Sequence, residues 1–190
     1  MTPPAQPELE PLCRSFLAHW RSLRKGSNVP TVEDFLDRPS IVHAPQVFMV
    51  EVIGDSLVPR LHGTGIVARW DRDLTARRMH DDRDKGYLRE LLDNYRAVMA
   101  HPCGCYLLNE YTTLSGGFSR VRVIYLPLAS KPGRLPRVVG YFCELEPHLS
   151  IEILAERRST MDASWIDIGA GVPANPPNLP GKPEQPETPA

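Results

Sequence analysis

The sequence predicts an α+β domain: a five-stranded antiparallel sheet with helices on one face, preceded by an N-terminal helical arm. Three observations carry this. Residues 47–61 read as two strands around a tight Gly54-Asp55 turn, and so short a loop joins antiparallel neighbours. Tyr87, Leu88, Leu91, Leu92, Tyr95, Val98 and Met99 recur at helical spacing and define the strongest helix in the chain. Strand candidates at 105–113, 119–128 and 137–144 follow that helix, and two strands, then helices, then a meander is an α+β order.

Taken in order, residues 1–10 are proline-rich and are expected to be disordered. An arm over 11–40 follows. Leu12, Phe16, Leu17, Trp20 and Leu23 recur at spacings of three and four, with Arg14, Arg21 and Arg24 on the wet side. Lys25-Gly26 supplies a stop, Thr31 and Asp34 a cap for a second short helix through Phe35-Leu36, and Pro39 its end. Trp20 and Phe35 require this arm to dock, because both are costly to leave in water. The main domain spans 41–147. It opens on the unbroken apolar run Val47-Phe48-Met49-Val50, breaks at Gly63-Thr64-Gly65 and turns at 71–75. A charged stretch at 79–85 then leads into the long helix, which His101-Pro102 ends. Residues 148–172 form a C-terminal extension, in which 150–154 and 165–168 read as an extra hairpin or the first of them as a helix. The Pro-rich tail 173–190 is expected to be disordered.

Composition narrows the function. The 190 residues are 42% hydrophobic, enough for one domain with a core. A net charge of −1 from 22 basic and 23 acidic residues gives no electrostatic case for nucleic acid. No apolar run approaches the roughly 20 residues that span a bilayer, and the N-terminus lacks the basic and apolar regions of a signal peptide. The cytoplasm is the expected compartment. Four cysteines at this length do not make a disulfide scaffold.

The motifs with chemistry in them are weak on inspection. His101, Cys103, Cys105 and Cys143 invite a metal, yet Cys-Gly-Cys is tighter than the usual zinc knuckle and Cys143 has no adjacent ligand. Buried small cysteines are expected there, and no metal site. Gly169-Ala170-Gly171 lacks the third glycine and the βαβ setting of a dinucleotide fingerprint. His80-Asp81-Asp82 reads as a solvated loop. Gly54-Asp55-Ser56-Leu57-Val58-Pro59 is similar to the Gly-Asp-Ser-Met-x-Pro motif of self-cleaving repressor peptidases, which makes a Ser-Lys autopeptidase centred on Ser56 the enzyme alternative. Such a dyad requires a lysine desolvated among apolar neighbours, whereas Lys85 sits in a charged run and Lys131 beside Pro132.

The order of elements, with Trp20, Leu23-Arg24, Pro30 and Asp34-Phe35 in the arm, resembles the single-domain bacterial PAS proteins of the PAS-5 type. Arg60-Leu61-His62-Gly63-Thr64 matches the end of that family's second strand, and Leu126-Pro127-Leu128 its fourth. Asp71-Arg72-Asp73-Leu74-Thr75-Ala76 matches in part a turn that the family writes Gly-x-Asp-Leu-Thr-Gly, with both glycines replaced. The resemblance runs over about residues 16–144. It implies a sensory or regulatory module of signal transduction, not a catalyst, and names no cofactor. It further implies a cavity between the long helix and the sheet, lined by Tyr95, Met99, Tyr111 and Tyr125 with Arg60 or His62 as polar contact. The haem form of such a cavity needs a histidine on the long helix, which has none before His101. The partners expected are a protein of a signalling pathway, a small molecule, and a second copy docked through Leu12, Phe16, Trp20 and Leu23. The alternatives are that this arm face packs on its own sheet, and that the chain is a ligand-free adaptor.

Overall fold

An apolar run without alternation suits a strand covered on both sides, and the first strand of this chain is built that way. The computed structural model describes residues 6–26, 29–70, 73–79, 85–112, 118–144 and 157–181. Its strands are β1 (Val47–Ile53), β2 (Ser56–His62), β3 (Gly104–Thr112), β4 (Phe118–Leu128), β5 (Arg137–Glu144) and β6 (Arg157–Ile166). They form one antiparallel sheet of order β2-β1-β5-β4-β3-β6. The helices are α1 (Pro11–Ser22), α2 (Val32–Asp37), α3 (Thr64–Trp70) and α4 (Lys85–Ala100), with a single 3-10 turn at Ala44–Gln46. No helix among the described residues is long and apolar enough to cross a membrane.

The expected α+β fold is present with one strand more than the five predicted. β6, which takes in residues 165 and 166 of the predicted 165–168 segment, joins the free edge of β3 in the same sheet; residues 150–154, the other half of the expected hairpin, lie outside the described residues. The reason β6 was missed is its burial. Thr160 and Ile166 are buried, but Met161 is 49% exposed and its neighbours are polar, so an edge strand half in water carries no clean apolar alternation. The Gly63–Gly65 break likewise opens a helix, α3, whose Ile66 enters the core.

Period-two alternation sorts the sheet into two cores. Phe48 and Val50 of β1, Val121, Val123 and Tyr125 of β4, and Val138 of β5 face α4. Val47 and Met49, Ile124, Leu126 and Leu128, and Val139, Tyr141 and Cys143 face the arm. The Gly54-Asp55 turn takes φ +59° at the glycine. Arg96 of α4 holds that turn through the Gly54 carbonyl at 3.0 Å and Asp55 at 2.7 Å.

The arm lies across the second face. Pro11 occupies the first turn of α1, where its missing N–H costs nothing, and Cys13, Phe16, Leu17 and Trp20 line the buried stripe. The Trp20 indole donates to the Pro127 carbonyl at 3.0 Å. α2 starts with the predicted cap: the Asp34 N–H donates to the Thr31 hydroxyl, and the Thr31 N–H to the Asp34 carboxylate. Lys25 and Thr31 hold that carboxyl down at about 2. The arm therefore packs on its own sheet. Phe16, Trp20 and Leu23, expected at a self-association face, are 0%, 0% and 1% exposed, and only Leu12, at 44%, remains outside.

Of the two proline-rich ends, residues 6–10 and 173–181 are described, and both stretches contact the rest of the fold. Leu9 is buried, and the Glu10 N–H donates to the Tyr106 hydroxyl at 3.1 Å. Residues 173–181, expected to be disordered, run between α4 and β6. Asn94 and Asn178 exchange two hydrogen bonds, the Trp165 indole donates to the Asn175 carbonyl, and the Thr160 N–H to the Pro180 carbonyl. This order comes from backbone groups paired with α4 and β6, which an apolar count does not register. Residues 1–5 and 182–190 lie outside the described residues.

Candidate functional site

Four of the six residues assigned to a cavity come together under α4. Tyr95, Tyr111 and Tyr125 share one buried cluster, and Met99 packs against it. The Tyr95 and Tyr125 rings lie 4.9 Å apart, and Phe48 stands 5.7 Å from Tyr125 and 4.9 Å from Phe142. Tilted and edge-on rings at such distances are packing contacts, so Tyr95 packs on Tyr125 and Tyr125 on Phe48.

The two polar residues lie elsewhere. Arg60 is engaged by Glu51, its Nε at 2.6 Å from the carboxylate and its Nη2 closer still, while Arg137 approaches the same carboxylate to 3.6 Å. Glu51 is 6% exposed, and a buried carboxylate of this kind needs paired cations. Three adjacent strands are thus tied by one charge cluster. His62 sits opposite Phe48 in the β1–β2 register, with Nδ1 3.7 Å from Asp73. Burial holds its pKa below the ordinary value, and Asp73 partly offsets this.

The seam between the arm and the sheet has more unused chemistry. His43, 3% exposed, sits at the centre of an aromatic group: Phe16 at 5.5 Å, Tyr141 at 5.1 Å and His19 at 6.4 Å. Its Nδ1 is 2.6 Å from the Ser40 hydroxyl, and its Nε2, like that of His19, has no hydrogen-bond partner. Burial lowers the pKa of both rings. For His43 the neighbouring His19 adds to this and the Leu12 carbonyl opposes it. For His19 the Arg38 carbonyl opposes and the Arg38 charge assists. A cavity of about 80 Å³ opens beside the two rings, lined also by Phe35, Leu36, Val47 and Leu61.

The thiols divide between the two faces. Cys103 and Cys105 belong to the core under α4, whereas Cys143 lies under the arm beside Cys13, so the sheet separates the sulfurs that the sequence invited into one site. Burial pushes the Cys103 thiol up to about 12 and Cys105 well above the usual range, and a hydrogen bond between Cys13 and Cys143, with burial, raises Cys13. Protonated, enclosed sulfur is a poor nucleophile and a poor ligand. Among the described residues no three metal-binding side chains gather, and His80-Asp81-Asp82 lies outside them.

Ser56 begins β2 opposite Ile53 and is 8% exposed. Of the lysines whose side chains are described, Lys25 pairs with Asp34 and Lys131 with Glu33, and they are 76% and 67% exposed. Neither is the desolvated amine that a Ser-Lys dyad needs; the side chain of Lys85 lies outside the described residues.

Sequence reasoning missed His19, His43, Glu51 and Asn94. His19 had a readable signal, lying three residues after Phe16 on the arm's apolar side. His43 lies between Pro39 and Pro45 and carried none. A family model described as a PAS domain matches residues 10–143, well over half of the 190. The span includes α1 to β5 and ends before β6. Searches of curated proteins and of solved structures return no match.

Proposed function

The chain belongs to the PAS domain family, and from that membership we propose that it is a non-catalytic sensory and regulatory module of signal transduction. It binds a small ligand, a protein partner or both, and passes its state to another chain. The observation that carries this reading is a group of exposed apolar side chains around the arm. Among the described residues, six large hydrophobics are strongly exposed. Four of them, Leu12, Leu36, Ile41 and Val42, belong to α1, α2 and the segment joining α2 to β1. Single exposed apolar residues need no explanation, but adjacent ones such as Ile41 and Val42, 89% and 71% exposed, favour being covered.

The mechanism is a population shift. A partner or ligand that contacts one position of the arm better than another draws the molecule toward it. The reading takes the cytoplasm as the compartment and a second copy on this rim as one form of partner. Quantitative affinity capture from the host, comparing the wild type with the Ile41→Ser/Val42→Ser double variant, tests it. A partner depleted at least tenfold by the variant, and bound again as a purified protein, supports the rim. Equal capture removes it. A ligand-free adaptor is the second reading, and the mutual packing of Phe48, Tyr95 and Tyr125 in the place of a ligand favours it.

A further inference from the structure

The cavity in the seam has no role in the packing around it. It is bounded by all the elements that meet there: Phe16 and His19 of α1, Phe35 and Leu36 of α2, Val47 of β1 and Leu61 of β2. No charged side chain lines it, so a charged guest would lose its hydration without compensation. Two ring nitrogens of lining residues have no hydrogen-bond partner, Nε2 of His19 and Nε2 of His43; His43 is the more deeply buried of the two rings, and an unmade hydrogen bond in such a place is costly. The Ser40 hydroxyl on Nδ1 fixes the His43 ring, and the direction of that hydrogen bond sets whether Nε2 donates or accepts.

Size narrows the guest. A cavity of roughly 150 Å³ encloses a benzene ring, whereas this one is about 80 Å³, and Leu36 in its lining is 48% exposed. A ring therefore enters by one edge, with its polar atom directed at His43. We infer that this seam is a binding site for a small, uncharged aromatic molecule of phenol or indole size, hydrogen-bonded to His43 Nε2. The inference rests on reading the chain as a binding module and gives that module a ligand. Because arm and sheet both line the site, an occupant bears on the contact between them.

The test is an NMR titration of the full chain with phenol, indole, toluene, benzoate and benzylamine. Saturable shifts at Phe35, Val47 and Leu61 are expected with phenol and indole, together with a shift of the His43 Nε2 resonance in the wild type. His43→Phe keeps the ring and removes the polar atom, so phenol should weaken roughly tenfold, the scale of one hydrogen bond, and toluene by less than twofold. The wild-type resonance decides the matter if the variant does not fold. No saturable shift up to the solubility limit, equal losses for phenol and toluene, or benzoate binding as tightly as phenol would each overturn the inference. None of those results touches partner capture through Ile41 and Val42, so the two readings fail separately.

Discussion

Ala76 donates its backbone N–H to the Pro59 carbonyl at 2.8 Å from a left-handed conformation, φ +63°. Among the described residues it is the only non-glycine with positive φ. The PAS proteins this sequence resembles have glycine at the position, and the chain holds the conformation without it. The Asp73 carboxylate, accepting from the Thr75 N–H and hydroxyl at 2.8 and 2.6 Å, helps to impose the turn. A Cβ there costs about 1–2 kcal/mol, and glycine returns part of this through its freer unfolded state. Ala76→Gly should therefore stabilise the protein by about 0.5–1 kcal/mol, read as a higher urea midpoint. A lower midpoint would mean that the turn is not strained.

Gly140 faces Phe48 across the β1–β5 pair, and a Cβ on it would fall within the Phe48 ring. Phe48 cannot easily withdraw, being packed against Tyr125 and Phe142. Gly140→Ala should cost about 1–3 kcal/mol, the scale of overpacking. Phe48→Ala, itself costly, should remove that increment. A double-mutant cycle in urea checks the coupling, and additive losses would count against the contact.

Asn94, 3% exposed, receives the Asn178 N–H at 2.8 Å and donates to the Asn178 carbonyl at 3.0 Å. Asn94→Ala leaves both backbone groups without partners and should cost about 1–3 kcal/mol. Ending the chain at residue 173 removes the same pair together with the Thr160–Pro180 bond, so the two changes should be less than additive. Hydrogen exchange at the Thr160 amide reports it directly: faster in the truncated chain if residues 174–181 hold β6, unchanged if they do not.

What the sequence carried well was local. The Gly54-Asp55 hairpin, the Thr31–Asp34 cap and the helix around Tyr95 each follow from neighbours within a few residues, and all three are present. What it carried poorly was long-range. Nothing in the spacing of Arg60 indicates that Glu51 will claim it, nor that Cys143 will meet Cys13 on the face opposite Cys103. Arg60 and His62 were assigned to a cavity as polar contacts, whereas the fold uses Arg60 to join strands and sets His62 beside Asp73. β6 and residues 174–181 escaped because backbone atoms of β3, Asn175, Asn178 and Pro180 supply many of their contacts, and backbone atoms have no signature in composition.

The Ser56 alternative makes a clear forecast. With Lys25 and Lys131 ion-paired and exposed, purified protein held overnight at pH 9 should show no internal cleavage by intact mass, and Ser56→Ala should behave identically. A fragment pair cut near residue 56 in the wild type alone would reinstate the enzyme.

Acid should weaken the fold earlier than carboxylate titration alone would cause. His19, His43 and His62 all have pKa values held below 6.5, chiefly by burial. As the pH falls through about 6.5 the unfolded chain takes up protons on these rings and the folded chain does not. The stability they contribute is thus complete above that value and is lost as the pH falls toward their folded values. The Arg38 carbonyl reduces the effect at His19 more than the Arg38 charge adds to it, and the Leu12 carbonyl and Asp73 reduce it at His43 and His62. Each ring adds at most ~1.4 kcal/mol per pH unit to the slope. Asp34, at about 2, titrates well below this window, so the range from pH 7 to 5 isolates the histidines. Urea midpoints should drop across it, and His43→Phe should flatten the drop. A midpoint constant from pH 7 to 5 would mean that the rings take up protons as readily folded as unfolded, and that His43 does not stand neutral in the seam.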